Sequence, residues 1–402
     1  MMNKTLGIIA VFLMLTGSSA CKKEDTTPVK KELPPRTLQE LINKYHAKHP
    51  ELPGITATII SQNLKISTAA AGYADVLNKT PLTSQHKIGV ASNTKMLTSV
   101  IILQLMEEGK LNLSDKISVH LSNSWVDSLN IQNGILLGSA IRIIDLLKHT
   151  SGIYDYIDAN FITSTTFFPN REFDIDDLIR YSIYSGASEF APGAPGMYSY
   201  CSTNYILLGL IIEKITSKSY LQVLHERILS PAQMNNSYLL SYEREKPSLA
   251  HGYNGFYDIY NDNLSWVWAT GGLASHAFDM ARFMSNLMNG MFFRNPLTLQ
   301  LMLTFTSESV AEYDYQYGLG ILKFKFGNGF NPIGHMGSLH GYTSACLYLP
   351  EQNSYMFVGI TTGGAHTFLF DILGQMYQLQ TVRSLPKPKI PRLGGKLHHM
   401  FR

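Results

Sequence analysis

The stretch Ser92-Asn93-Thr94-Lys95 leads directly into Met96, Leu97, Val100, Ile101, Leu105 and Met106. Apolar residues at steps of three and four mark one face of a helix, and Gly109 follows as a C-terminal stop. A helix therefore begins at this point. Positions i and i+3 share a helix face, so the Ser92 hydroxyl and the Lys95 amine come side by side. An amine held there can take the hydroxyl proton and leave a nucleophile. The same spacing recurs at Ser19/Lys22, Ser84/Lys87 and Ser384/Lys387. Ser19 lies in an apolar leader, Ser84 in a polar run and Ser384 just before Pro386. Of the four, Ser92 is the serine that opens a helix.

Around that helix the pattern predicts an α+β fold. Thr37 to Lys48 reads as an amphipathic helix with Leu38, Leu41, Ile42 and Tyr45 on one side. Ile55 to Ile60 and Ile66 to Tyr73 read as strands. Strand signals return at Gly318–Phe326, Tyr342–Leu349 and Tyr355–Thr361, and a last helix runs from His366 to Leu379. Between about 110 and 270 the signals are helical and loop-like, with helices near Ile141–Lys148 and Tyr205–Thr216. An antiparallel sheet built from both chain ends, flanked by helices and carrying an inserted, mostly helical lobe, accounts for this order.

The chain has 402 residues, 45% hydrophobic and 16% charged, with a net charge of +3. That is ample for a large core, and the balance argues neither for nucleic-acid binding nor for disorder; no nucleic-acid partner is expected. At the N-terminus, Lys4 precedes an apolar run from Leu6 to Leu15 and the small residues Gly17, Ser18, Ser19 and Ala20. The run is short of the roughly 20 residues that span a bilayer and fits an export signal over residues 1–20. Cys21 after Ser-Ser-Ala resembles the lipobox of bacterial lipoproteins, although Ser18 stands where Leu is usual. The resemblance implies cleavage before Cys21, lipid attachment to it, and a lipid anchor in a bacterial cell envelope, at the periplasmic or outer surface. Residues 21–36 then read as a tether reaching on the order of 20 Å. A folded domain is expected over residues 37–385, followed by a basic, Pro-rich tail over 386–402. Cys201 and Cys346 are expected as two free buried thiols, the alternative being one bridge in an oxidising compartment. Cys and His show no metal-ligand spacing, so neither metal nor cofactor is expected.

Two further patches bear on the chemistry. Tyr198-Ser199-Tyr200-Cys201-Ser202 is a polar, turn-like run that leads into an apolar helix through Leu207-Leu208-Gly209. Gly334-His335-Met336-Gly337-Ser338 reads as a glycine-flanked turn ahead of a hairpin, where glycine lets backbone approach a ligand. His149-Thr150-Ser151 reads as a helix C-terminal turn whose side chains satisfy backbone groups. Gly271 and Gly272 read as a loop lining the cleft, and His276 as a weak start to the following helix.

Together with Leu146–Gly152, Gly271–Ser275 and Tyr317–Gly320, and in this order, these stretches resemble the penicillin-binding protein and class C β-lactamase-like serine hydrolases, from about Leu38 to Leu379. The resemblance implies Ser92 as nucleophile, Lys95 as partner amine and Tyr200 as the tyrosine of a Y-x-N motif whose Asn is replaced by Ser202. It places His335-Met336-Gly337 at the K-T-G or H-x-G position and makes Ser92 and Ser338 the oxyanion N–H donors. Lys95 near an electropositive helix start is pushed toward the neutral amine. Either that amine or a tyrosinate at Tyr200 can accept the serine proton, and His335 would orient Tyr200 or a substrate carboxylate. The implied activity is a D-Ala-D-Ala-type carboxypeptidase or peptidase acting on a small acyl substrate. Alternatives are a β-lactamase, an esterase or D-amino-acid amidase, and a penicillin-binding module that has lost turnover.

Overall fold

The computed structural model describes residues 34–122, 124–243, 248–306, 315–326 and 329–384; the leader with Cys21 and the tail from Pro386 lie outside them. Helix α1 (Leu38–Lys48) is capped by Thr37, whose hydroxyl accepts from the Glu40 N–H at 3.0 Å. Its apolar face, Leu38, Leu41, Ile42 and Tyr45, is buried as its periodicity predicts. Strands β1 (Gly54–Ile60), β2 (Ile66–Asp75) and β3 (Thr80–Pro81) follow. Then come β4 (Ile88–Gly89), a single 3-10 turn over Ala91–Asn93, and α2 (Thr94–Glu107).

The lobe comprises the hairpin β5 (Ile131–Gln132) and β6 (Ile135–Leu136) with helices α3 (Ile143–Leu147), α4 (Ala159–Phe167), α5 (Ile175–Ser185), α6 (Thr203–Thr216) and α7 (Tyr220–Leu224). It continues through β7 (Tyr238–Leu239), the hairpin β8 (Tyr253–Asn254) and β9 (Tyr257–Asp258), and α8 (Trp268–Gly271). The chain returns to the sheet through β10 (Leu273–Ser275), α9 (Ala277–Met288) and α10 (Pro296–Met302). It closes with β11 (Tyr315–Tyr317), β12 (Leu322–Phe324), β13 (Ile333–Leu339), β14 (Tyr342–Leu349), β15 (Ser354–Ile360) and α11 (His366–Ser384).

The main sheet has the order β11-β12-β13-β14-β15-β1-β2-β3, with every pairing antiparallel. The two chain ends meet in its middle, where Ile55 pairs with Ile360 and Ile60 with Tyr355. Both β1 and β15 are buried along their whole length, which explains their near-continuous apolar sequences. One face is covered by α1 and α11 through Leu41, Ile42, Leu369, Ile372 and Met376; α9 packs on the other. Helix α2 is buried on all sides up to Leu103, not along one stripe, as expected for a central helix. Truncating Leu97 to Ala there costs about 2–5 kcal/mol. Gly109 has φ +68° and ends the helix as its position predicts.

Two expectations change. Gly318–Phe326 is not one strand: Gly318, Leu319 and Gly320 (φ +74°) turn the chain between β11 and β12. A Cβ on Gly320 would sit 1.9 Å from Ser99 Oγ, so the glycine is there to let the turn close on α2. The His335 segment is not a turn but the body of β13. Gly334 is required because a Cβ would lie 2.0 Å from the Cys346 carbonyl oxygen of β14.

Candidate active site

The serine turn is fixed before any ligand arrives. Ala91, ahead of Ser92, has φ +51°, a left-handed conformation that costs a non-glycine residue roughly 1 kcal/mol or more. Surrounding bonds hold it there. The Asn93 carboxamide donates to the Val90 carbonyl at 3.0 Å and to Ser344 Oγ at 2.9 Å, and Ser344 donates in turn to Val90 at 2.8 Å. Thr94 Oγ1 donates to the Ala91 carbonyl at 2.8 Å. From the other side β13 presses on the turn: a Cβ on Gly337 would lie 2.4 Å from the Val90 oxygen and 2.9 Å from the Ser92 nitrogen. Gly337 is thus the residue that lets β13 reach Ser92. The next residue, Ser338, is exposed.

Ser92 is half-buried, whereas Lys95 is fully buried. The Lys95 Nζ lies 3.2 Å from Ser92 Oγ and donates to the Thr270 carbonyl oxygen at 2.9 Å. Burial pulls its pKa from the usual lysine range down to about 7, with Asp155 and Cys201 opposing the fall. Desolvation, rather than the helix terminus expected from sequence, is the largest cause. Near neutral pH roughly half of the molecules then carry the free amine.

Tyr200 closes the site from the lobe side. Its hydroxyl interacts with the Ser92 side chain, and its ring centroid is 5.0 Å from the Lys95 Nζ. Burial pushes the phenol well above its ordinary value despite the interaction with Ser92. Of the two bases left open by sequence, the amine is the one poised to accept a proton. Ser202 is buried, and its N–H donates to Asp155 Oδ2 at 3.0 Å; its side chain makes no capping bond to α6.

His335 is 2% exposed and is not placed to hold a substrate carboxylate. Its ring is 6.3 Å from that of Tyr200, Nε2 bonds the Tyr317 hydroxyl at 3.2 Å, and Nδ1 bonds the carbonyl of Met336. No ring nitrogen is left for a substrate carboxylate. Burial and the Lys95 charge bring its pKa down to about 3, so it is neutral. Gly271 and Gly272 do not line the cleft either. Both are buried, and Gly271 backs the serine turn, with a Cβ position 3.6 Å from the Ala91 carbonyl carbon. Their neighbour Thr270 supplies the useful atom. His276 caps α9 without a side-chain bond, as expected.

Three contributors escaped the sequence reading. Asp155, half-buried, accepts from the Ser202 and Ile157 N–H groups and faces Lys95; burial raises its pKa. His149 (φ +58°) accepts from the Cys201 N–H, confirming a turn that satisfies backbone, but it also stacks against Tyr200 at 4.4 Å between centroids. Tyr317 joins His149 to His335. The signal for Asp155 was its place just after His149-Thr150-Ser151-Gly152. Cys201 and Cys346 are free and buried.

The beta-lactamase family pattern matches residues 38–371. The chain belongs to the beta-lactamase family. Among curated relatives, Protein flp of Staphylococcus aureus (strain MW2) is 34% identical over 186 residues, 46% of this chain and 34% of that protein. The putative penicillin-binding protein PbpX of Bacillus subtilis (strain 168) is 30% identical over 242 residues, 58% of this chain and 55% of that one. The matches therefore span about a third to about half of those relatives. Similar solved structures include a D-stereospecific amidohydrolase from Streptomyces sp. (TM-score 0.71, 24% identity, 83% of this chain and 96% of that one). Others are the D-amino acid amidase of Ochrobactrum anthropi SV3 complexed with L-phenylalanine amide (0.74, 22%, 86% and 98%) and a penicillin binding protein from Bacillus halodurans (0.69, 23%, 84% and 99%). At these identities the likeness establishes the fold: the mixed helix-and-sheet architecture of β-lactamases and their serine hydrolase relatives.

Proposed function

We propose that this member of the family cleaves peptide or amide bonds next to a D-amino acid through an acyl-enzyme on Ser92, as a D-Ala-D-Ala-type peptidase of the cell envelope. The observation that carries the reading is the Lys95 Nζ 3.2 Å from Ser92 Oγ, with the Tyr200 ring 5.0 Å from the same amine. The free amine of Lys95 takes the Ser92 proton as Oγ attacks the carbonyl carbon. The oxyanion is received by the N–H groups of Ser92 and Ser338, each worth about 3–4 kcal/mol in comparable sites. Tyr200, held protonated by burial, gives its proton to the leaving nitrogen and is reprotonated from Lys95. Water then attacks the acyl carbonyl and restores Ser92.

A second reading, an amidase for substrates with a free amino group, draws on Asp155. Among the described residues, Asp155 is the carboxylate acting on Lys95, and no second cation does so. Such a site suits an incoming ammonium better than a carboxylate. The envelope address and lipid anchor on Cys21 belong to the same proposal; a Cys21→Ala chain that stays membrane-bound would remove the anchor from it.

One experiment sorts these activities. The protein is incubated with a fluorescent penicillin, a D-Ala-D-Ala peptide and a D-amino-acid amide, and intact mass and products are followed. A penicillin adduct absent from Ser92→Ala, with release of D-Ala, supports the peptidase; turnover of the amide alone supports the amidase. Rapid penicillin hydrolysis without an adduct indicates a β-lactamase. No adduct and no product with any of the three contradicts acyl transfer at Ser92.

A further inference from the structure

Behind Tyr200 the hydrogen bonds allow protons to be assigned one by one. His149 Nδ1 lies 3.0 Å from the Cys201 nitrogen and 3.2 Å from Asn204 Nδ2. The carboxamide is oriented by Ser151, whose Oγ donates to Asn204 Oδ1 at 2.7 Å, so the NH2 end faces His149. Two donors converge on Nδ1, which must therefore be unprotonated. The proton of the neutral ring sits on Nε2, 3.0 Å from the Tyr317 hydroxyl oxygen, to which it donates. That leaves the Tyr317 O–H to donate to His335 Nε2 at 3.2 Å. His335 then carries its proton on Nδ1 and donates to the Met336 carbonyl. Charging His149 would turn Nδ1 against two donors, and charging His335 would turn Nε2 against the Tyr317 proton. All three side chains are buried, and burial with the Lys95 charge keeps both rings neutral.

We propose that His149 and Tyr317 are positioning residues, forming with His335 a one-directional hydrogen-bond chain that holds Tyr200 and β13 in the geometry acyl transfer at Ser92 requires. The chain joins the turn after α3 to β11 and β13, three segments far apart in sequence. Its members bear on two working parts. The Tyr200 ring rests on His149 at 4.4 Å and lies 6.3 Å from both Tyr317 and His335. The strand held through His335 is the one whose Gly337 abuts the Ser92 nitrogen. A slip of either part disturbs proton return or the oxyanion site without touching substrate.

This inference rests on Ser92 being the nucleophile, and its test separates the two ideas. Histidine-15N NMR of the full-length chain at pH 7 reads the tautomers with no substrate present. The expected result is His149 protonated only on Nε2 and His335 only on Nδ1; the opposite tautomer or an imidazolium at either ring overturns the chain. Tyr317→Phe then keeps the ring and removes the hydroxyl. Its acylation rate constant by a fluorescent penicillin is expected to fall about 10- to 100-fold, the scale of a small misplacement of reacting groups, with the binding constant within about twofold. A wild-type rate constant in a folded Tyr317→Phe protein overturns the positioning role. If Ser92 proves inert toward every substrate, the tautomers still decide whether the chain exists.

Discussion

The two walls of the cleft are built in opposite ways. The serine wall is local: Ser92 and Lys95 are three residues apart, and the turn that holds them is braced by Asn93 and Thr94 from the same stretch. The aromatic wall is assembled from His149, Tyr200, Tyr317 and His335, brought together from separate segments; the His149 to Tyr317 bond alone spans 168 residues of chain. The serine wall takes its spacing from one helix, and Ser344, Thr270 and Gly337 brace it from outside. The distributed wall depends on the lobe and the sheet staying in register, and its hydrogen bonds set that register.

Substitutions on each wall should therefore fail differently. The largest effect is expected from Ser92→Ala, which loses the acyl-enzyme altogether by intact mass. Lys95→Ala is expected to slow acylation at least ~100-fold, the usual scale for losing a general base; near wild-type acylation would remove Lys95 from the mechanism. Gly337→Ala drives a methyl into the Val90 oxygen and Ser92 nitrogen, and a shift of about 1 Å in the serine is expected to cost approaching ~100-fold in acylation. Tyr200→Phe leaves the amine in place and is expected to lose about 10- to 100-fold, more for a poor leaving group such as a peptide amine than for an activated ester. Equal losses on both substrates would show that Tyr200 does not protonate the leaving group.

The smallest effect is on stability. Lys95 has a folded pKa of about 7, below its unfolded value. Burial of the ammonium therefore costs its full penalty below pH 7, and the cost shrinks as pH rises from 7 toward the unfolded lysine pKa. Lys95→Met removes it. The variant is expected to melt above wild type at pH 7, with the gap narrowing by pH 9.5; a gap that widens contradicts the buried-cation account.

This contrast also sets what the sequence revealed. Ser92/Lys95 was legible because its chemistry and its helix share one stretch. So were α1 and α11, whose apolar periods match their buried faces, and β14, whose bounds match the expected Tyr342–Leu349. Tyr200 was found through the motif around it. The bonds behind it were not, because no local pattern shows that Tyr317 bridges two histidines, or that the Thr270 carbonyl receives the lysine. Glycine misled twice. At His335 it marked close strand packing instead of a turn, and at Gly271 and Gly272 it marked a buried brace instead of a cleft wall. In each case the cause is a non-local neighbour, Cys346 for Gly334 and Ala91 for Gly271.

The central claim is that a buried Lys95, partly in the free-amine form near neutral pH, activates Ser92. Its most direct test is the acylation rate constant of the unmodified protein by a fluorescent penicillin across pH 5 to 10. Because the free amine is the active form, the rate should rise tenfold per pH unit below about 7 and level off above it. A rate that is flat through pH 6–8, or that rises only above pH 9, would contradict it.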